Sequence, residues 1–440
     1  MSKQTQTPAK ARQRIDFEAT LKTLSPLHVG TGQFSEHGKE EAGKPQVALL
    51  QRDQAKAPLL PSTSVKGMMR ALAEGLWGER DNRVKMLFGE ISNDPQMTGQ
   101  QGLLTVFMAR RTEPVPDASA MPYFQVNDPG VFVAARTAID DASGTADDAK
   151  LFFQEMVAPE TLFTLRCRLD LFKQRTGSVD SKALQQAVLD ILAEMTAPHG
   201  VPMGKGQADG LGRLALQGQT AQIEHWTLDD QGVFSSTKST LPLAEAKGQE
   251  VAKQVTLRLH CEGPFVIMDS SHERQNDNEP HIRAQRQREK LPLILGTSVS
   301  GALRARAEWL DRIALLNKGA DDNAIKDGSG IIERLFGKTS QKALLIIESL
   351  VVKQAFSLTQ TSVKIDRFSA APIDGGLFST KAFYDVRVEV TLSLPPRAAP
   401  DDIEQFDRLI KELKHYGLEL GHGANKGFGW FTVEVIRETK

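Results

Sequence analysis

Residues 204–212 read GKGQADGLG and residues 421–429 read GHGANKGFG. Both place glycine at the first, third, seventh and ninth positions, and the same three signals precede each in the same order. PSTSVKGMMR at 61–70 returns as LGTSVSGALR at 295–304, and LFG at 87–89 returns at 335–337. Ile139-Asp140 followed by Leu151-Phe152 returns as Ile365-Asp366 followed by Leu377-Phe378. Four matches in register mark a tandem duplication, which decides how everything else is read. The second copy is longer between the first two signals, in a Gly/Asp-rich stretch near Lys318 to Gly330, and the first is longer between the next two. Insertions of that composition belong in surface loops.

Outward from these signals, each copy gives the same succession of elements. An alternating strand opens it, Ile15 to Thr23 and Val255 to Cys261. A serine-capped helix follows, predicted from Ser64 to about Trp77 and from Ser298 to about Leu316. Apolar strands come next, at Leu103 to Met108 and Ala343 to Val352, then amphipathic helices at Asp180 to Met195 and Asp401 to Lys414. After the glycine loop a strand closes the copy, at Arg213 to Leu216 and Trp430 to Val435. Strand, helix, two strands, helix, strand is the order of a ferredoxin-like α+β domain. The expected domains are 1–220 and 251–440, with 221–250 a polar linker containing SSTKST and one short strand.

Composition sets the limits. A chain of 440 residues has room for about three domains or two large ones. With 40% apolar and 25% charged residues it should bury real cores and not stay disordered. Lys plus Arg number 54 against 55 Asp plus Glu, so no overall cationic field draws it to nucleic acid and a polyanion site must be local. Cys167 and Cys261 are the only cysteines and form no C-x-x-C, which excludes a disulfide framework and a zinc finger and makes them core residues in a reducing compartment. The polar, basic MSKQTQTPAKARQR start has no apolar run behind it, and the longest apolar stretch is broken by Glu348. No signal peptide or membrane span is expected, and the predicted location is cytoplasmic.

Three motifs could supply the local polyanion site. In the glycine loops, Gly204, Lys205, Gly206 and Gly210, and Gly421, Gly423, Lys426 and Gly427, would let the backbone approach a phosphodiester with its amides turned outward. The same spacing also suits a plain turn. It is neither a P-loop nor a dinucleotide fingerprint, because no G-K-[ST] closes it and a strand follows. The helix start carries Ser62, Ser64, Lys66 and Arg70, where free amides and the dipole welcome phosphate; the second copy keeps Ser298 and Arg304 but has Ser300 in place of Lys66. Simple capping would use the same serines. HIRAQRQREK sets Arg283, Arg286, Arg288 and Lys290 against the single acid Glu289, a local positive surface, although such runs are commonly just solvated faces. Nine histidines make no catalytic or metal pair by spacing, His28 is expected to pack, and no nucleophile elbow is present.

The combination of LHVG after the opening strand, the P-x-x-S-x-K-G-x-x-R helix start, LFG, the Ile-Asp loop ending in LFS (Leu377 to Ser379) and the terminal glycine loop resembles the RAMP superfamily of CRISPR effector proteins. IDRFSAAPIDGGLFSTKAF (Ile365 to Phe383) is similar to the thumb segment of the backbone subunit of type III complexes, and the fused pair resembles a type III-D-like double subunit. The resemblance implies two tandem modified RNA-recognition folds with thumb-like insertions, at Ile139 to Met156 and Ile365 to Phe383, that bind CRISPR RNA and complementary target RNA alongside other effector subunits, with no membrane involved. Asp366 and Arg367 would belong to the RNA-binding thumb, with Leu377, Phe378 and Phe383 candidates for a tip that flips a nucleotide or for a core anchor.

The resemblance also implies target cleavage by one acid in the loop after the opening strand, using Mg2+ or another divalent cation. In DSSHERQNDNEPHIRAQ the catalytic and metal-binding candidate is Asp277, with Asp269 in reserve; a solvated acidic loop is the competing reading. The first-copy loop has Glu36, Glu40 and Glu41 but no Asp before Asp53, and is expected to be silent. The alternatives are a catalytically silent backbone subunit and the guide-processing endoribonuclease of the same superfamily. That enzyme has one terminal glycine loop and an active-site histidine, whereas here each half has its own loop.

Overall fold

Alternate burial along two opening strands organises the protein. Ile15, Phe17 and Leu21 of Arg12–Thr23 point into one core, and Val255, Leu257, Leu259 and Cys261 of Lys253–Cys261 into another. The structure is a computed structural model that describes residues 12–35, 46–90, 99–116, 128, 130–136, 152–171, 180–229, 231–248, 250–268, 276, 279–284, 291–338 and 340–439.

Each opening strand lies between the closing strand and the third strand of its half, the ferredoxin-like order 4-1-3-2. In the first half the order is Arg213–Leu216, Arg12–Thr23, Leu162–Asp170 and Leu104–Val106, and all pairs are antiparallel. In the second it is Trp430–Thr439, Lys253–Cys261, Pro372–Leu394 and Ile346–Ile365. The register repeats as well, with Leu21 opposite Phe163 and Leu216, and Leu259 opposite Val388 and Val433. Helices Ser62–Trp77 and Ser181–Glu194 cover the first sheet, and Gly296–Asn317 and Pro400–Tyr416 the second, giving two separate cores. Both cysteines are buried in them. Desolvation pushes the Cys167 thiol up to about 12 and the Cys261 thiol up to about 11, so neither is reactive near neutral pH. The two expected ferredoxin-like domains are therefore present.

One further repeated detail shows how closely the copies match. Glu160 and Asp385 occupy matching places by the third strand, both have positive φ (67° and 44°), and each meets a nitrogen of an opening-strand side chain: Lys22 Nζ to Glu160 at 3.1 Å, His260 Nε2 to Asp385 at 2.6 Å.

Three expectations need correction. The helices start two residues early, at Ser62 and Gly296, because Pro61 and Leu295 take the extended cap conformation; Ser64 and Ser298 sit inside the first turn and are not caps. The apolar strand expected at Ala343 to Val352 runs on from Ile346 to Ile365, as one arm of a hairpin whose other arm is Pro372–Leu394. The segment taken for a linker forms a hairpin, Thr220–Leu228 with Phe234–Pro242, whose first arm extends the first sheet by pairing Arg12 to Glu18. Alternation in TAQIEHW, with Ala221 and Ile223 buried, drives that pairing.

The halves meet at a joint. Arg213 of the first closing strand reaches across to Glu348 (2.8 Å) and the Ile347 carbonyl (3.1 Å). Leu211, Phe132, Ala134, Met156 and Ala158 of the first half pack with Leu293 and Leu295 of the second. Beside the joint lies a cleft of about 730 Å³, with Pro26, His199 and Arg213 on one wall and Thr256, Thr391 and Arg437 on the other.

Candidate nucleic-acid interface

The glycine loops have the same backbone in both halves. All eight glycines have positive φ, from 68° to 89°, and each loop encloses a short 3-10 turn, Gln207–Asp209 or Ala424–Lys426. The outer glycines are required by close approach: a Cβ on Gly212 or Gly429 would lie 1.8 or 1.9 Å from the carbonyl oxygen of Met203 or Leu420, and one on Gly204 or Gly421 would lie 2.4 Å from that of His28 or Val266. Most loop amides are spent on the protein itself. His422 donates to the Val266 carbonyl, Lys426 and Phe428 to that of Gly423, Gly427 to that of Ala424, and Gly429 to that of Pro264. Gly423, Ala424 and Asn425 make none of these bonds, and their amides open the turn. The plain-turn reading therefore accounts for the outer glycines, and only the centre of each loop remains for a ligand.

The two loops differ in setting. Asp209, Gly210 and Leu211 are pressed into the joint, whereas Gly421, Lys426 and Gly427 are exposed. Lys205 is exposed too, with its ammonium 5.1 Å from the Phe152 ring centroid.

At the helix starts the expected phosphate ligands are in part committed elsewhere. Arg70 pairs with Glu74 (2.7 Å) and Arg304 with Glu308 (2.8 Å), the same i,i+4 bridge in both copies, and Arg304 also donates to the Gly337 carbonyl of the second LFG turn (3.1 Å). Both arginines brace their own helices, and Arg304 also ties its helix to LFG; in each copy the short LFG helix ends on a glycine, Gly89 or Gly337. Ser62, Ser64, Lys66 and Ser298 are half-buried beside them.

Among the described residues, the second-half hairpin carries the largest group of exposed apolar side chains. Its register runs from Ile346 opposite Ser393 to Ile365 opposite Pro372. Past Thr380, where Ile282–Arg283 pairs alongside, eight residues from Ser379 to Pro372 carry it about 26 Å further at about 3.3 Å each. Phe356, Leu358, Val363, Ile365 and Leu377 are exposed, and Phe368 at the turn is fully so. Lys364, Arg367 and Lys381 are carried on the same hairpin. Asp366 clasps the turn: its Oδ1 accepts from the amides of Phe368 (2.9 Å) and Ser369 (2.7 Å) and from the Ser369 hydroxyl (2.9 Å). Those bonds from Ser369 and Phe368 hold its carboxyl below the usual carboxylate range.

Of the expected tip residues, Phe383 is buried in the core and Phe378 lies against His281 with centroids 5.1 Å apart. Leu377 is exposed on the shaft, and the aromatic at the tip is Phe368, which the sequence reading passed over. Its signal was available: it is the one aromatic between the clasping Asp366 and Pro372.

Asp277, Asp269 and Arg286 lie outside the described residues, as do Arg288, Lys290, the first-copy acids Glu36, Glu40 and Glu41, and residues 139–151 of the first thumb. On the near side of Asp277 and Arg286, the His281 amide donates to the Ser379 carbonyl (2.9 Å) and Arg283 pairs beside Lys381, so this segment runs along the hairpin base. Among the described residues no three His, Cys, Asp or Glu side chains gather to hold a metal, and no helix is long and apolar enough to cross a membrane.

Two ferredoxin-like modules in tandem, each with a glycine loop before its last strand and one with a projecting basic and apolar hairpin, form an RNA-recognition architecture. The chain belongs to the RAMP superfamily, whose family model matches residues 20–215 and again 247–432. Membership points to a CRISPR-associated RNA-binding subunit that works within an effector complex; some members are endoribonucleases. No curated protein matches the chain.

Proposed function

We propose that this chain is a CRISPR RNA-binding backbone subunit of a type III effector complex, and that its second half cleaves guide-paired target RNA. The observation that carries the RNA-binding reading is the hairpin. Large apolar side chains held in water along a rigid ribbon, with Lys364, Arg367 and Lys381 on the same ribbon, fit a ligand with stacked bases and a phosphate backbone. Phe368 is placed to wedge between nucleotides and offset part of the few kcal/mol of unstacking that flipping requires.

In the cleavage step the 2′-hydroxyl of the flipped nucleotide attacks the adjacent phosphorus and the 5′-oxygen of the next nucleotide leaves, giving a cyclic phosphate and a free 5′-hydroxyl. Asp277 accepts the attacking proton. A divalent cation bound there, Mg2+ or another, would supply charge stabilisation at the phosphate. The segment from Glu279 to Arg283 leads from Asp277 to the hairpin base, which supports placing the cut beside the thumb.

The test is to purify the chain with its natural partners, sequence the bound RNA and follow target cleavage. Short RNAs sharing a repeat-derived 5′ tag are expected. Asp277→Ala should remove one cut while guide binding persists. An unchanged cleavage ladder would overturn the assignment of Asp277, and absence of all cutting in the unaltered complex would leave the silent backbone reading.

A further inference from the structure

The second-half hairpin leaves its sheet at a double irregularity. Val352 lies opposite Val388, Gln354 opposite Arg387 and Phe356 opposite Tyr384. The first arm therefore carries an extra residue at Lys353 and the second an extra residue at Asp385 or Val386, and the two cancel, so that Leu358 opposite Ala382 continues the original register. Bulges bend and twist the strands that carry them. Regular pairing with the opening strand also stops here, at Cys261 opposite Val386. From this root, residues 372–384 extend about 43 Å at about 3.3 Å each. A swing of about 10° at the root would carry the turn about 7 Å sideways, roughly two base steps of a nucleic-acid strand.

One carboxylate ties the root together. Asp385 Oδ1 accepts from Nε2 of His260 on the opening strand (2.6 Å) and from Nε of Arg387 (3.2 Å), and Oδ2 accepts from Nε2 of Gln354 on the other arm. An ionised carboxylate only accepts, so the His260 ring carries a proton on Nε2. These bonds, His260 first and then Arg387, hold the Asp385 carboxyl below the usual carboxylate range. The backbone has φ 44°, which glycine would take without strain. The first half nevertheless has an acid at the matching place, Glu160, with φ 67° and Lys22 of its own opening strand 3.1 Å away. Acids placed twice on a backbone that favours glycine are there for what their carboxylates hold.

We propose that Asp385 is the positioning residue of the hairpin: by tying the opening strand and both arms at one point, it sets the direction in which the ribbon leaves the sheet and so the place where Phe368 meets RNA. Just beyond the root, Phe356 stacks on Tyr384 with centroids 6.0 Å apart, and the Tyr384 hydroxyl donates to Gln360 (3.1 Å). These contacts stiffen the shaft, which leaves the root as the point where the ribbon can swing. The inference rests on the proposed function only for what the tip does; the direction of the hairpin is a property of the chain alone.

The test uses the full-length chain with spin labels on Thr361→Cys, in the shaft, and Lys411→Cys, in helix Pro400–Tyr416; Cys167 and Cys261 are buried and stay unlabelled. Pulsed electron double resonance should give one narrow distance. Asp385→Gly, which keeps the backbone at ease and removes the ties, should widen it by about 4 Å, a swing of about 10° acting roughly 23 Å from the root. His260→Thr should widen it in part. His260→Lys, which installs the amine that Lys22 supplies in the first half, should restore the narrow distance. Equal widths in all these proteins overturn the proposal, as does His260→Lys behaving like His260→Thr. In the assembled complex Asp385→Gly should spread the cut over neighbouring phosphates, and a single sharp cut at the original place overturns the positioning role. A complex that cuts no RNA overturns the nuclease reading, while the distances still decide on Asp385.

Discussion

Removing Glu348 should cost more than removing Arg213, although the two form one ion pair. Arg213 is the deeper partner: its side chain is 5% exposed against 18% for Glu348, its Nε has no partner among the described residues, and burial pushes its pKa down. In Glu348→Ala the guanidinium is left with the Ile347 carbonyl as its remaining ligand, and an uncompensated buried charge costs roughly 3–5 kcal/mol. In Arg213→Met the surviving carboxylate keeps the Ser393 hydroxyl at 2.5 Å and some water, so the cost should fall to about 1–2 kcal/mol. Arg213→Met with Glu348→Leu should come back to within about 1 kcal/mol of the starting protein, since a packed apolar pair can replace a buried ion pair. The assay is urea and thermal unfolding followed by tryptophan fluorescence, with Trp77 and Trp226 reporting on the first half and Trp309 and Trp430 on the second. At about 2–4 °C per kcal/mol for units of this size, Glu348→Ala should lower Tm by roughly 6–20 °C. A change under about 0.5 kcal/mol, or Arg213→Met proving the more damaging variant, would refute the account of the joint.

The glycine loops should respond unequally to alanine. Gly429→Ala forces a Cβ to 1.9 Å from the Leu420 carbonyl and should prevent soluble expression, whereas Gly427→Ala, with open space around it at φ 79°, should cost only about 1–2 kcal/mol by denaturant titration. The Asp366 clasp should be pH-sensitive. Its folded pKa lies below the unfolded carboxylate value, so its contribution is complete above that value and is lost as pH falls through the folded pKa; protease nicking at the hairpin turn should rise over that acidic window, and Asp366→Ala should show the raised nicking already at neutral pH. Phe368→Ala should leave Tm unchanged because the ring is fully exposed, yet should weaken target engagement in the assembled complex. Equal target binding by this variant would remove the tip from the RNA interface.

What the sequence alone determined is whatever local backbone chemistry dictates. Positive-φ glycines at fixed spacing, helix starts before a repeated S-V-x-G and alternating strands are short-range requirements, so they survive duplication as readable text and disclose the ferredoxin-like order and the family likeness. The hairpin at Thr220–Pro242 was missed because polar residues masked its alternation. The caps were misplaced because Pro61 and Leu295 set the boundary by conformation without any side-chain bond. Only the tertiary structure decided which loop is free and which is used. Gly204–Gly212 and Gly421–Gly429 carry one pattern, but the first is held in the joint through Arg213 and Glu348, 135 positions apart by their numbers, and the second faces solvent. Likewise Phe368, Phe378 and Phe383 are alike as letters. Their separate fates, at the tip, against His281 and in the core, follow from how far each arm of one hairpin extends beyond the sheet that supports it. Burial depends on contacts between residues distant in the chain, and no local pattern encodes them.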